Sequence, residues 1–142
     1  MRHSLNELPA LVHSLPPDRL LRHPGEGEWS IAAVIAHLAD VELMYGARVR
    51  LILTEDRPRL AAYDQERWAT RFWVPAHDVD ALQLWIALRR INLRLLDSLS
   101  NEEWDRIGVH EESGERTVRS FVVGLDDHDR SHMEQIRRIA GS

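Results

Sequence analysis

Residues 125–139, LDDHDRSHMEQIRRI, place His128 and His132 one helical turn apart inside an apolar stripe. Read as a helix, the segment continues a series of Val118, Phe121, Leu125, His128, His132, Ile136 and Ile139 at intervals of three and four, so both imidazoles stand where core residues belong. Side chains one turn apart have Cβ atoms about 5–6 Å from each other. Two neutral rings at that spacing reach one divalent ion, whose bonds to nitrogen are about 2.0–2.1 Å. A lone His-x-x-x-His also arises by chance, so the metal reading needs a third ligand from elsewhere in the chain.

Working back from this stretch, Ser30 can cap a long helix, with Trp29 before it packing on Val34 as a hydrophobic staple. Its stripe runs Val34, His37, Val41, Met44 and Arg48 and ends at the break of Arg57-Pro58. His37 taken alone reads as a partly buried, hydrogen-bonded histidine; taken with the other two it is the third inward imidazole. Asp78 can cap another long helix, with Leu82, Trp85, Ile86, Arg89, Leu93, Leu96 and Leu99 at helical spacing. Arg89 is the charged member of that stripe, and either snorkels outward or aims its guanidinium at an anionic substrate group. Thr117 caps the last helix, which ends at Gly141.

The connections are read from breakers and caps. Pro9, Pro16, Pro17 and Pro24 limit the N-terminal apolar segment, residues 5–15, to a short helix bent at Pro9, followed by one turn over residues 18–21. Residues 54–77 form a long crossover, with a short helix over residues 64–71 and with Tyr63, Trp68, Phe72 and Trp73 spaced to cover the end of a bundle. Ser100-Asn101-Glu102-Glu103 is a capping box opening one turn, and residues 108–115 read as a loop. No stretch alternates convincingly as a strand. The expectation is an all-α, four-helix bundle with a long crossover between helices 2 and 3, formed by residues 1–142 as a single domain.

Composition removes several chemistries. The chain has no cysteine, which excludes thiolate metal sites and a cysteine nucleophile and leaves histidine and carboxylate as metal ligands. It has no lysine, which excludes a Schiff base. A formal charge of −5 argues against a hold on nucleic-acid backbones, and no apolar run approaches the roughly 20 residues that cross a bilayer. Without a signal peptide at the N-terminus, the expected compartment is cytoplasmic.

His37, His128 and His132 therefore form the expected metal site. Three protein ligands leave a position for water or substrate, as catalytic sites do, whereas a structural site closes with four. A dinuclear carboxylate site would need Glu-x-x-His on two helices; Asp129-Arg130-Ser131-His132 alone comes near, and Val34 stands where the carboxylate before His37 would be. Asp40 reads either as a group orienting a ligand or acting as base, or as an exposed helix-shoulder carboxylate. His110 reads either as an acid or base at the metal's open side, or as a solvated loop histidine. His3, His13, His23 and His77 read as surface residues.

Through GEWSIAAVIAHLAD, LTEDRPRLAAYDQERWA and DDHDRSHMEQI the chain resembles the DinB-like superfamily, and within it the YfiT-like metal-dependent hydrolases and bacillithiol transferases. The resemblance spans about residue 5 to the end and departs in a shorter N-terminal lead-in. It places the family's metal histidines at His37, His128 and His132. It implies a helical bundle, a homodimer, one divalent ion such as zinc or nickel, and a small-molecule substrate, with a low-molecular-weight thiol as a cosubstrate. Two functions stay open: a thiol S-transferase or hydrolase with an ion-activated nucleophile, of which the resemblance alone favours transfer, or a non-catalytic metal- or ligand-binding stress-response module.

Overall fold

A computed structural model describes residues 1–72 and 78–141, apart from the side chains of residues 70, 78 and 79. Seven helices are described: α1 Arg2–His13, α2 Pro17–Leu21, α3 Ile31–Thr54, α4 Gln65–Arg71, α5 Asp78–Asp97, α6 Asn101–Trp104 and α7 Val118–Gly141. The four longest, α1, α3, α5 and α7, make a four-helix bundle. Helix α3 packs on α5 and α7, and α1 packs on α5 and α7 in turn, so the two helices that follow each other first in the bundle, α1 and α3, share the same two neighbours.

Local chemistry accounts for most helix ends. The Ser30 hydroxyl accepts from the Ala33 amide at 3.2 Å, Asp64 accepts from Arg67 at 3.0 Å, and Ser100 with Glu103 forms the reciprocal capping box. Thr117 Oγ1 accepts from the Ser120 amide at 3.0 Å and opens α7. The side chain of Asp78, expected as a cap, lies outside the described residues, as do Trp73 and His77.

Three expectations need correction. Helix α1 starts at Arg2, earlier than expected, and runs through Pro9. A proline inside a helix costs about 3 kcal/mol, which here is offset by packing: Leu8 and Val12 are buried in the main core cluster with Ile31, Ile35, Trp85 and Ile136. The second correction is a small sheet where none was expected. Strands β1 Arg59–Leu60, β2 Ile107–His110 and β3 Gly114–Thr117 lie in the order β1-β2-β3, with β1 parallel and β3 antiparallel to β2. The stretch read as a loop is thus a hairpin, with Ile107 opposite Thr117 and His110 opposite Gly114, whose φ of +71° makes it the natural turn residue. Gly108 lets this hairpin sit directly on the bundle, because a Cβ there would stand 2.7 Å from Leu60 Cδ1 and 2.8 Å from Ile52 Cγ1.

The third correction concerns Arg89, which neither snorkels nor faces a ligand. Its side chain is fully buried and bonds to all three other bundle helices. Nε donates to Glu42 on α3 at 2.8 Å, Nη1 donates to Ser4 on α1 at 2.9 Å, and Nη1 and Nη2 donate to the two oxygens of Asp129 on α7 at 2.6 and 3.0 Å. Asn92 Nδ2 donates to the other oxygen of Glu42 at 2.8 Å. Among the described residues no helix is long and apolar enough to cross a membrane.

Truncating one partner of a buried charge pair leaves an uncompensated charge and costs about 3–5 kcal/mol. Arg89→Ala should therefore lower the urea midpoint severely. Arg119→Ala, which removes an exposed pair with Asp105 at 3.2 Å, should leave it near the wild-type value.

Candidate metal centre

Two helices bring the three histidines together. His37 is on α3, one turn into the fully buried part of that helix, and His128 and His132 are on the face of α7 that turns toward it. The Nε2 atoms of His37 and His128 are 3.0 Å apart, and one ligand nitrogen from each of the three rings lies within 4.8 Å of the others. Ring centroids are 5.1 Å apart for His37 and His128, 4.8 Å for His37 and His132, and 4.4 Å for His128 and His132. Two nitrogens bonded to one ion at tetrahedral angles stand about 3.3 Å apart, so the spacing suits a shared cation.

The surroundings also fit a cation. Burial, followed by the neighbouring His128 and His132, pulls the pKa of His37 down to about 3. Burial and then His132 pull that of His128 down to about 4, with Asp129 opposing. Both rings are therefore neutral at pH 7 and offer lone pairs. His132 Nδ1 lies 2.7 Å from Gln135 Oε1, so Nδ1 carries the proton that Gln135 accepts, and Nε2 is left free to ligate. His128 Nδ1 is buried with no hydrogen-bond partner among the described residues. Three ring nitrogens packed this closely match imidazole ligation of zinc, nickel or a similar divalent ion.

A cleft of about 360 Å³ opens beside His128, lined by Tyr45, Arg48, Tyr63, His110, Arg116 and Phe121 among others. His110, at the end of β2, accepts at Nδ1 from the amides of Glu112 and Ser113 at 3.3 and 3.4 Å, which fixes the tautomer with the proton on Nε2. Burial and the nearby Arg48 lower its pKa. It is held by the hairpin turn on the wall of the same cleft as His128. Asp40 is buried, at 7% exposure, contrary to the helix-shoulder reading, and its charge helps to raise the pKa of Tyr63, which burial pushes to about 12. His3, His13 and His23 are exposed as expected.

Sequence reasoning passed over Gln135, although its position three residues after His132 on the same helical face is a usable signal. It also passed over Arg116, which only the hairpin brings to the cleft, over Tyr45, and over Arg48 as anything more than a stripe position.

With this geometry in view, the comparison with known proteins is decisive for family. Residues 1–136 match the DinB superfamily, and the chain belongs to it. An Oceanobacillus iheyensis protein named "Putative metal-dependent hydrolase" is 33% identical over 135 residues, covering 93% of this chain and 76% of that protein. A second so-named protein of the same organism is 28% identical over 141 residues, covering 96% of this chain and 82% of its own. Among solved structures, YfiT of Bacillus subtilis, described as a probable metal-dependent hydrolase with an unusual four-helix bundle topology, superposes with a TM-score of 0.75 at 24% identity, covering 98% of this chain and 85% of YfiT. That likeness is one of fold.

The depressed histidines fix the sign of a pH effect in the ion-free protein. Unfolded, both titrate near 6.5; folded, at about 3 and about 4. Between these values the unfolded chain binds more protons, so the contribution of the neutral rings is complete above about pH 6.5 and is lost as pH falls toward 4 and then 3. Urea midpoints of metal-free protein should fall from pH 7 to about pH 4.5. The fall should be smaller in a His37→Gln, His128→Gln double variant. Gln135→Leu should weaken metal affinity about 10–100-fold without unfolding the chain, as read by competition with a chelator.

Proposed function

We propose that this chain is a metal-dependent enzyme acting on a small molecule, with His37, His128 and His132 holding one divalent ion, zinc or nickel, and with water or a low-molecular-weight thiol as the nucleophile. The observation that carries this reading is the three-histidine cluster, with His37 buried and His128 and His132 half-buried, whose His128 lines a cleft. Among the described residues the group able to hold an ion has three members, which leaves a coordination position for chemistry where a structural site would close with a fourth. The names of the curated relatives favour water, hence hydrolysis. A thiol as nucleophile, hence S-transfer, uses the same ligand set.

A bound ion would supply Lewis acidity, lowering the pKa of the nucleophile at its open position. The chain's own residues do the rest. Burial keeps His37 and His128 unprotonated at neutral pH, and Gln135 holds the His132 ring in its ligating tautomer. His110 presents Nε2–H at the cleft wall, where it can donate a hydrogen bond to a substrate or leaving-group oxygen as negative charge develops there.

Metal analysis of protein purified without an affinity tag should find about one divalent ion per chain. Release of p-nitrophenol from an acetyl ester without added thiol would identify water as nucleophile. Turnover of an electrophile such as monochlorobimane only with cysteine present would identify transfer. His128→Ala should lose the ion and turnover together, and retention of either would remove the assignment. His110→Leu, which removes the Nε2–H donor, should keep the ion and slow turnover about 10²-fold.

A further inference from the structure

We propose that the cleft beside the three histidines takes a substrate bearing a carboxylate, held by Arg48 and Arg116 with the Tyr45 hydroxyl as a further donor. This deepens the reading of the cleft as a substrate site and names the chemistry of its ligand.

Both guanidinium groups are held in place by neutral acceptors rather than by carboxylates. Arg48 Nη2 donates to the Ala61 carbonyl at 2.5 Å, and its guanidinium carbon lies 5.7 Å from the centre of the Tyr63 ring. Arg116 donates from Nε to the Ser120 hydroxyl at 3.1 Å and from Nη2 to the Ser120 carbonyl at 3.0 Å, and stands 5.1 Å from the Phe121 ring centre. Among the described residues neither arginine forms an ion pair. Such anchoring sets the direction of a charged donor without consuming its charge, which is what recognition of a planar anion requires.

Two buried donor atoms point to a missing acceptor. Arg48 Nε and the Tyr45 hydroxyl are both buried with no hydrogen-bond partner among the described residues, and Tyr45 is only 5% exposed. Leaving such groups unpaired is costly, and a ligand oxygen relieves the cost. Burial raises the Tyr45 pKa, so its hydroxyl remains a donor at neutral pH. Burial also works against the charge of Arg48, and an arriving carboxylate offsets it. Glu112 lines the cleft as well, so among the lining residues two guanidinium groups stand with one carboxylate, and the charges of Asp40 and Glu111 also reach its wall. Val41, Met44 and Phe121 provide apolar wall for the body of the ligand, and about 360 Å³ suits a small organic acid.

The test compares binding of succinate with that of its neutral diamide, succinamide, by titration calorimetry on the full chain, with metal content measured on each sample. Succinate should bind the wild type at least about tenfold tighter than succinamide. Arg48→Gln and Arg116→Gln should each weaken succinate about tenfold, and Tyr45→Phe about threefold, with metal content unchanged. If Arg48→Gln fails to fold because the Ala61 anchor is lost, Arg116→Gln and Tyr45→Phe carry the test. Equal binding of the acid and the diamide, or variants that bind succinate like the wild type, would overturn the proposal. His128→Ala separates it from the metal reading. A preference for succinate that survives without the ion and still depends on the arginines supports the carboxylate site. A preference that vanishes with the ion and ignores the arginines makes succinate a ligand of the ion, which overturns this site and leaves the metal centre standing.

Discussion

One guanidinium ties the bundle together. Arg89 reaches from α5 to Ser4, Glu42 and Asp129, so each of the four long helices places at least one side chain in a single buried polar cluster. Desolvating a charge costs several kcal/mol, and the cluster is tolerable only because its bonds are short, numerous and in part bidentate. An arrangement of this kind has little slack. A helix that slid or rotated would strand a charge in the core, so the cluster specifies register more than it adds stability. For α7 that restriction has a local result: Asp129 is the residue next to His128. Fixing the carboxylate in the bundle centre fixes the rotation of the helix, and with it the direction in which His128 and His132 project.

The hydrophobic half of this architecture was legible in the sequence because it repeats locally. Helix spans, caps at Ser30, Ser100 and Thr117, and the inward histidines all follow from spacings of three and four. The polar half was not legible, since Glu42 and Asp129 lie 47 and 40 residues from Arg89 and each looks like an ordinary helical carboxylate. The usable sign was Arg89 itself: a charge inside an apolar stripe demands counter-charges from the helices it faces. The sheet escaped for a different reason. Strands of two to four residues, one of them containing Gly108, are too short to show alternation, and the pairing of β1 with β2 joins residues far apart in the chain.

Asp40 and His110 illustrate how tertiary context overrides a local reading. Asp40 follows His37 by less than one turn on a helix whose first half is buried nearly all round, so the usual exposed shoulder does not exist there. His110 looked like part of a solvated loop. Hairpin pairing instead holds it at the cleft wall with its tautomer set by two backbone amides.

The hairpin has a consequence for how this scaffold can diversify. The nitrogen cluster stands on two long helices locked by Arg89, whereas His110 and Arg116 stand on a surface hairpin that touches the bundle where Gly108 allows it. The two halves of the pocket thus belong to separate building blocks. Changes of length or sequence in residues 107–117 can re-dress the wall that a ligand meets while the ion-holding half stays fixed, which makes the hairpin the natural place to graft a new preference onto an old centre.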